Sequence, residues 1–229
     1  TFMTTKVIVY GGADSIQLRG SLDFNKFYIH NWTDSTPIYC YGVAGYDDTM
    51  TVDSTVVNTL GGLITFDGGG GGNDVLNFDG SSLVTSQSYN FYGEEISSFA
   101  SGGGQRYVDF SNGIKSVNVY GSSTDDGMTV YALAAGTNVY FHGGSGNDNL
   151  YVGDSVDNLD ASGIQGLVYF YGDAGTDSAY LDDVSATIAH TYIVDHTHIG
   201  TTVGGNTFNA GGVESLIIEG ADSVACTYN

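Results

Sequence analysis

The amino-acid sequence predicts an all-β fold: a right-handed parallel β-helix of about nine coils, with roughly 26 residues in each. Three observations support this prediction. One strand–loop–strand pattern recurs along the whole chain, apolar residues alternate within its strands, and the 229 residues include 35 Gly but 1 Pro. Since no Pro- or Ser-rich linker interrupts the pattern, residues 1–229 are expected to form a single domain.

The repeat is located by the residue that ends its first strand, which is a glycine in all but one unit. These residues are Gly11, Gly42, Gly68, Gly93, Gly121, Gly143, Gly172, His196 and Gly220. Residues two and four positions earlier are apolar or aromatic in every unit, as in Ile38 and Cys40, or Val139 and Phe141. This period of two predicts strands with one face in the core.

A second strand follows each loop, with inward pairs such as Met50 and Val52. A weaker third segment follows at 108–114, 159–164 and 208–213, so we expect three strands in each coil. A β-sandwich or barrel is the alternative, but hairpins would not repeat one pattern in a constant register. The right-handed form is expected because parallel β-crossovers are overwhelmingly right-handed. Stretches 83–96 and 186–199 also resemble each other, which suggests duplication of a four-coil block.

The charge composition is strongly acidic, with 26 Asp and Glu against 5 Lys and Arg and a net charge of −21. Only four of the 26 acids are Glu, which leaves 22 Asp. A chain of this charge repels nucleic acids and anionic membranes, and it contains no apolar stretch that could span a bilayer. Asp is the short acid that caps turns and holds cations in loops.

Acidic residues recur at equivalent positions of the loops. Adjacent coils lie about 4.8 Å apart, so a recurring residue becomes a ladder of like charges that a bridging Ca²⁺ could neutralise. The alternative is a solvated corner in which Asp and Asn only form turns. The predicted metal-binding residues are Asp47, Asn73, Asp74, Asp126, Asn147, Asp148 and Asp177, with a second candidate ladder at Asp53, Asp79, Asp154 and Asp182.

Two nonapeptides, GGGGNDVLN at 69–77 and GGSGNDNLY at 143–151, resemble the repeats of RTX, haemolysin-type calcium-binding proteins. The stretches 42–50 and 172–180 match in part. The resemblance implies Ca²⁺ between stacked turns and a secreted protein. It departs from the family in spacing, because these turns recur every 22–31 residues instead of every 18 or so. More broadly, the chain resembles the repetitive β-helical proteins of bacterial surfaces.

An outward column of tyrosines precedes the loops: Tyr10, Tyr41, Tyr92, Tyr120 and Tyr171. It could stack on sugars, or its rings could simply stack on one another across strands. The two cysteines, Cys40 and Cys226, are expected in distant coils and therefore unpaired.

These observations favour a secreted or cell-surface structural module, stabilised by Ca²⁺ and able to stack on copies of itself or on flanking coils. The alternatives are an adhesin or glycan-binding module and a polysaccharide lyase or hydrolase. The few, scattered basic residues argue against an enzyme acting on acidic sugars.

Overall fold

The computed structural model describes residues 13–30, 32, 35–53, 62–100, 106–153, 159, 163–194, 198–201, 207–221 and 227–228. The all-β prediction is confirmed, because these residues form strands, turns and loops without a helix. Accordingly, the described part of the chain contains no helix long and apolar enough to cross a membrane.

Twenty short strands make up this part of the chain. The first ten are β1 (Ile16–Arg19), β2 (Lys26–Ile29), β3 (Ile38–Tyr41), β4 (Thr49–Val52), β5 (Ile64–Asp67), β6 (Asp74–Asp79), β7 (Gln87–Gly93), β8 (Glu95–Ala100), β9 (Arg106–Ser111) and β10 (Ile114–Tyr120). The others are β11 (Gly127–Leu133), β12 (Asn138–His142), β13 (Asn149–Val152), β14 (Val168–Tyr171), β15 (Ser178–Asp182), β16 (Thr191–Val194), β17 (His198–Thr201), β18 (Thr207–Gly211), β19 (Ser215–Glu219) and β20 (Thr227–Tyr228).

The strands form two ten-stranded sheets. Sheet A has the order β1-β3-β5-β9-β8-β7-β11-β13-β15-β19, and sheet B has the order β2-β4-β6-β10-β12-β14-β18-β17-β16-β20. Most neighbouring strands are parallel, as in β3–β5 and β4–β6. The chain passes back and forth between the sheets, an arrangement consistent with a parallel β-helix.

A regular coil contributes one strand to each sheet, so the predicted three-strand coil is wrong for the described residues. The stretches 108–114 and 208–213, which were expected to be third strands, instead hold parts of β9 and β18, each in one of the same two sheets. Within 159–164, residues 160–162 lie outside the described residues, and Ile164 forms an isolated parallel bridge with Leu133 outside the named strands.

Two three-stranded antiparallel meanders interrupt the coils. Strands β7, β8 and β9 form the first within sheet A, and β16, β17 and β18 form the second within sheet B. The stretches 83–96 and 186–199, which resemble each other in sequence, lead into these two meanders. The sequence similarity therefore marks a shared interruption of the coil, and the two copies lie in opposite sheets.

The predicted inward residues form the core. They include Ile38, Cys40, Ile64, Phe66, Tyr89, Phe91, Val117, Val119, Val139, Phe141, Val168 and Phe170, all at most 3% exposed. Aromatic side chains stack along the core axis, with the Phe141 and Phe170 ring centroids 5.2 Å apart. Val194 and Leu216 depart from the prediction and are exposed near the C-terminal end.

The parallel topology gives the fold two long edges. Apart from the middle strand of each meander, all strands of one sheet run in the same direction. Loops that lead from sheet A to sheet B therefore stack on one edge, here named the A-to-B edge. Loops that lead from sheet B to sheet A stack on the opposite edge, the B-to-A edge.

Candidate cation sites in the edge loops

The predicted acid ladder is divided between the two edges. Loops 42–48 and 68–73 lie on the A-to-B edge, whereas loops 121–126, 143–148 and 172–177 lie on the B-to-A edge. The cause is the first meander, which places three consecutive strands in sheet A. The repeats between the two meanders then begin in sheet B, so their loops emerge on the other edge.

On the A-to-B edge, buried aspartates link successive loops. Asp48 Oδ1 accepts the backbone N–H of Asn25 at 2.8 Å, and Asp74 Oδ1 accepts that of Asp48 at 2.8 Å. Both aspartates have 0% exposure. The residue equivalent to Asp74 is therefore Asp48, and the prediction that placed Asp47 there is wrong in position.

The B-to-A edge repeats this geometry. Asp126 Oδ1 accepts the backbone N–H of Gln87 at 2.6 Å. The backbone N–H of Asp126 in turn donates to Asp148 Oδ1 at 2.7 Å, and the backbone N–H of Asp148 donates to Asp177 Oδ1 at 2.7 Å. Glu214 continues the series by accepting the N–H of Asp177 at 2.7 Å. We name Asp48, Asp74, Asp126, Asp148 and Asp177 the inner ladder.

The inner ladder explains why a glycine ends the first strand of the five repeats that carry it: Gly42, Gly68, Gly121, Gly143 and Gly172. Each carboxylate folds back over the glycine five or six residues earlier in its own loop. A Cβ placed on Gly68, Gly143 or Gly172 would lie 2.2–2.4 Å from the Oδ2 atom of Asp74, Asp148 or Asp177. Such a distance is far below van der Waals contact, so the Gly–Asp pair is one packing unit.

An outer ladder clamps the same loops in the opposite direction. Asp47 Oδ1 accepts the backbone N–H of Asn73 at 2.7 Å, and Asp125 Oδ1 accepts that of Asn147 at 2.7 Å. Asn147 Oδ1 in turn accepts the N–H of Thr176 at 2.9 Å. Three of the predicted ligands, Asp47, Asn73 and Asn147, thus lie in an exposed row that joins coils by hydrogen bonds.

The second carboxylate oxygen divides the inner ladder into two classes. Asp48 Oδ2 accepts the N–H of Val43 at 2.7 Å, and Asp126 Oδ2 accepts that of Ser122. The Oδ2 atoms of Asp74, Asp148 and Asp177 are buried and have no hydrogen-bond partner. A buried carboxylate oxygen without a partner is costly, so these three positions require an explanation.

The two classes differ in backbone conformation at the second residue of the loop. This residue is left-handed in the three loops with an unpartnered oxygen, with φ of 78° at Gly69, 99° at Gly144 and 65° at Asp173. Val43 and Ser122, which donate to the other two carboxylates, are not left-handed. Two of the three loops are the ones whose sequences match the full nonapeptide.

The protonation equilibria reflect the same environment. Burial raises the pKa of Asp74 and of Asp148 from 3.8 to about 6, although backbone hydrogen bonds oppose the shift. Burial also raises the pKa of Asp126 and of Asp177. Neighbouring ladder carboxylates reinforce the shift at Asp148, because like charges disfavour ionisation.

The loops contain oxygen ligands of the kind that a hard cation prefers, but their acidic side chains are not grouped around one point. No group of three or more His, Cys, Asp or Glu side chains in the described ranges is arranged to hold a metal. The loops of Asp74, Asp148 and Asp177 instead offer one unused carboxylate oxygen each, to which backbone carbonyls of the glycine-rich loops would have to be added. Ca²⁺ accepts such mixed carboxylate and carbonyl ligands. Asp74, Asp148 and Asp177 are the residues that would hold it.

The second predicted ladder also divides between the edges. Asp53 follows β4 and Asp79 ends β6, both in sheet B, whereas Asp182 ends β15 of sheet A. Asp154 lies outside the described residues. Asp53 accepts the Tyr28 hydroxyl at 3.2 Å, Asp79 accepts the N–H of Ser81 at 3.0 Å, and Asp182 accepts the Tyr151 hydroxyl at 2.8 Å. These three acids hold separate local contacts.

The predicted tyrosine column is distributed over both sheets, and Tyr10 lies outside the described residues. In sheet A, the Arg19 guanidinium lies 4.5 Å from the Tyr41 ring centroid, and Tyr92 stacks on Tyr131 with centroids 5.0 Å apart. In sheet B, His142 lies between Tyr120 and Tyr171, at 5.0 and 4.7 Å. The rings therefore stack on one another across strands, although Tyr92 and Tyr171 remain 45% and 37% exposed.

The sequence analysis did not identify Asp48 in the inner ladder, nor Gln87 and Glu214, whose hydrogen bonds to Asp126 and Asp177 extend the ladder at its two ends. Asp48 lies six residues after Gly42, the same spacing that separates Gly68 and Asp74, so this spacing would have identified it. Gln87 and Glu214 carried no such signal, because neither follows a glycine loop of that form. Comparison with protein-family models and with curated protein sequences finds no match for this chain.

Proposed function

We propose that this protein is a structural β-helix module whose edge loops bind Ca²⁺. The observation that carries the proposal is the set of buried, unpartnered Oδ2 atoms at Asp74, Asp148 and Asp177. A bound cation would compensate both the missing hydrogen bond and the repulsion between stacked carboxylates. The partial RTX resemblance of the same loops supports this choice of cation.

The structural role is supported by the hydrogen bonds that the buried and exposed loop carboxylates make. Carboxylates of the inner and outer ladders accept backbone N–H groups from neighbouring coils, an arrangement that joins adjacent loops. Hydrogen bonds to charged acceptors contribute about 1.5–3 kcal/mol each. The clamped coils, the acidic composition and the resemblance favour an extracellular or bacterial cell-surface location, where Ca²⁺ is abundant enough for sites of modest affinity.

Calcium titration with thermal melting tests the proposal. At a free Ca²⁺ concentration of about 100 times Kd, one site adds about 2.7 kcal/mol to stability. For a chain of this size that shift corresponds to a Tm increase of about 5–10 °C over the protein in EDTA. A Tm that is the same in EDTA and in excess Ca²⁺ would overturn the proposal.

A matched pair of variants locates the site. Asp148→Asn removes the charge of a carboxylate that has an unused oxygen, so the Ca²⁺-dependent increase in Tm should shrink. Asp126→Asn changes a carboxylate whose two oxygens already accept N–H groups. It should lower Tm equally with and without Ca²⁺ and leave the increase intact. Equal losses of the increase in both variants would contradict the assignment.

The finer architecture is part of this proposal: a right-handed helix of about nine coils. Right-handedness follows from the general preference of parallel β-crossovers. The described strands make eight passes from sheet A to sheet B, counted from β1–β2 to β19–β20, and residues 1–12 lie outside the described part. An experimental density map at side-chain resolution tests both the hand and the count.

The ends of the sheets support stacking on further coils or on another copy. Strand β19, at the end of sheet A, exposes Leu216 (38%) and Ile217 (47%). Apolar side chains beside an open strand edge favour pairing with another strand. Sedimentation velocity over a hundredfold concentration range tests this, since a constant monomeric sedimentation coefficient would exclude self-stacking.

The glycan-binding alternative has less support in the geometry. Sugars stack on exposed ring faces, but His142 is covered on both faces and Tyr92, Tyr120 and Tyr171 on one each. A glycan array separates this alternative from a purely structural role.

A further inference from the structure

A cavity of about 540 Å³ opens on the outer face of sheet A, where the first meander adjoins β5. Its lining residues are Thr65, Tyr92, Glu94, Glu95, Asp109, Phe110 and Ser111. Ile96 and Val108 point into the core, so their neighbours Glu95 and Asp109 point outward. This cavity is wide open to solvent, so a ligand would lie on the surface of the sheet.

The charges in this cavity are unbalanced. Glu95 and Asp109 lie directly opposite each other in the antiparallel pair β8–β9, an arrangement that destabilises a sheet. Burial, and then the proximity of Asp109, raise the pKa of Glu95, and burial raises the pKa of Asp109. Glu94 adds a third acid, and the lining includes no Lys, Arg or His. A cationic ligand would complement this cavity.

The aromatic ring at the cavity narrows the class of cation. Tyr92 is 45% exposed, and its ring stacks on Tyr131. Elsewhere on the same sheet, the Arg19 guanidinium lies over the Tyr41 ring at 4.5 Å. A guanidinium is planar, donates to two carboxylates at once and stacks on aromatic rings, whereas an ammonium is a compact point charge.

We propose that this cavity binds the guanidinium group of an arginine side chain presented by a partner polypeptide. Glu95 and Asp109 accept its N–H groups, Tyr92 contacts its plane, and the hydroxyls of Thr65 and Ser111 offer further acceptors. The cavity adjoins loop 68–73, since the N–H of Gly68 donates to the Ser111 carbonyl oxygen at 3.1 Å, but its lining includes no carboxylate of the inner ladder.

Titration with a matched pair of probes tests the proposal, using NMR of the whole chain in saturating Ca²⁺. N-acetyl-arginine amide should bind at least about tenfold more tightly than N-acetyl-citrulline amide, which has the same shape but no charge. The estimate follows because a charge-assisted hydrogen bond contributes about 1.5–3 kcal/mol and 1.4 kcal/mol is tenfold. N-acetyl-lysine amide should bind more weakly than the arginine probe.

Variants place the binding in the cavity. Glu95→Gln combined with Asp109→Asn should abolish arginine binding, and Glu95→Gln alone should weaken it. Both variants remove repulsion, so the fold should be retained, which a thermal melt checks. Asp14→Asn combined with Glu219→Gln changes two exposed acids elsewhere and should leave binding intact. Equal binding of arginine with citrulline or lysine, or equal losses in both double variants, would overturn the proposal.

Discussion

In EDTA, the free energy of unfolding of this protein should rise as the pH falls from about 6 towards 4. The perturbed groups are Asp74 and Asp148, whose pKa burial raises from 3.8 to about 6. A carboxyl with a higher pKa in the folded state binds its proton more tightly there. Acidification through this window therefore favours the folded state, whereas the extra stability is lost as pH rises through 6.

The magnitude follows from the same values. The interval between 3.8 and about 6 corresponds to about 3 kcal/mol for each carboxyl, at about 1.4 kcal/mol per pH unit. Solvent near the loops screens part of this effect, so about 1–2 kcal/mol for each residue is a better expectation. Asp126 and Asp177 act in the same direction. Asp74 and Asp148 alone then contribute about 2–4 kcal/mol.

Urea unfolding at half-unit steps between pH 4 and 8, followed by tyrosine and tryptophan fluorescence, measures this gain. Asp74→Asn combined with Asp148→Asn should remove most of the slope. Asp79→Asn, which changes a carboxylate outside the inner ladder, should retain it. The reasoning is refuted if the unmodified protein is equally stable, or less stable, at pH 4.5 than at pH 7.

Three further substitutions test the packing, and Gly45→Ala serves as the control for the first of them. Gly143→Ala places a Cβ 2.2 Å from Asp148 Oδ2 and should cost about 2–3 kcal/mol in urea unfolding. Gly45→Ala, at φ 84° with open space around it, should cost about 1 kcal/mol, and equal losses would argue against the Gly–Asp packing unit. The buried Asp183 carboxylate accepts hydrogen bonds from the Leu159 N–H and the Tyr192 hydroxyl. Asp183→Asn should therefore lower the free energy of unfolding by about 2–4 kcal/mol, and an unchanged urea midpoint would contradict this role. Tyr169→Ala removes a stacked ring 4.5 Å from Tyr140 and should lower stability by about 0.5–1.5 kcal/mol, with Ca²⁺ binding by calorimetry unaffected.

The strands and the core could be predicted from the sequence because alternation is a local property. Each inward pair, such as Val139 and Phe141, is defined within five residues, and the buried face then follows from strand geometry. The recurrence of acids at loop positions was equally local. That information placed Asp74, Asp148 and Asp177 correctly in equivalent loops.

The edge on which each loop lies could not be predicted, because it depends on how many strands precede it in the same sheet. The stretch 89–96 reads like other first strands, yet β7 ends at Gly93 and β8 returns antiparallel. Nothing in the local pattern distinguishes a hairpin here from a crossover. The cavity at Glu95 and Asp109 was hidden for the same reason, since only the meander brings these two acids together.

The meanders also determine in which of the two sheets each repeat places its first strand. A repeat whose three strands all lie in one sheet makes the next repeat start in the opposite sheet, and the second meander reverses this change. One sequence pattern consequently appears on both sheets, with Tyr41 in sheet A and Tyr120 in sheet B. A protein assembled from similar units can thereby show matching surfaces to neighbours on either side without encoding two different repeats.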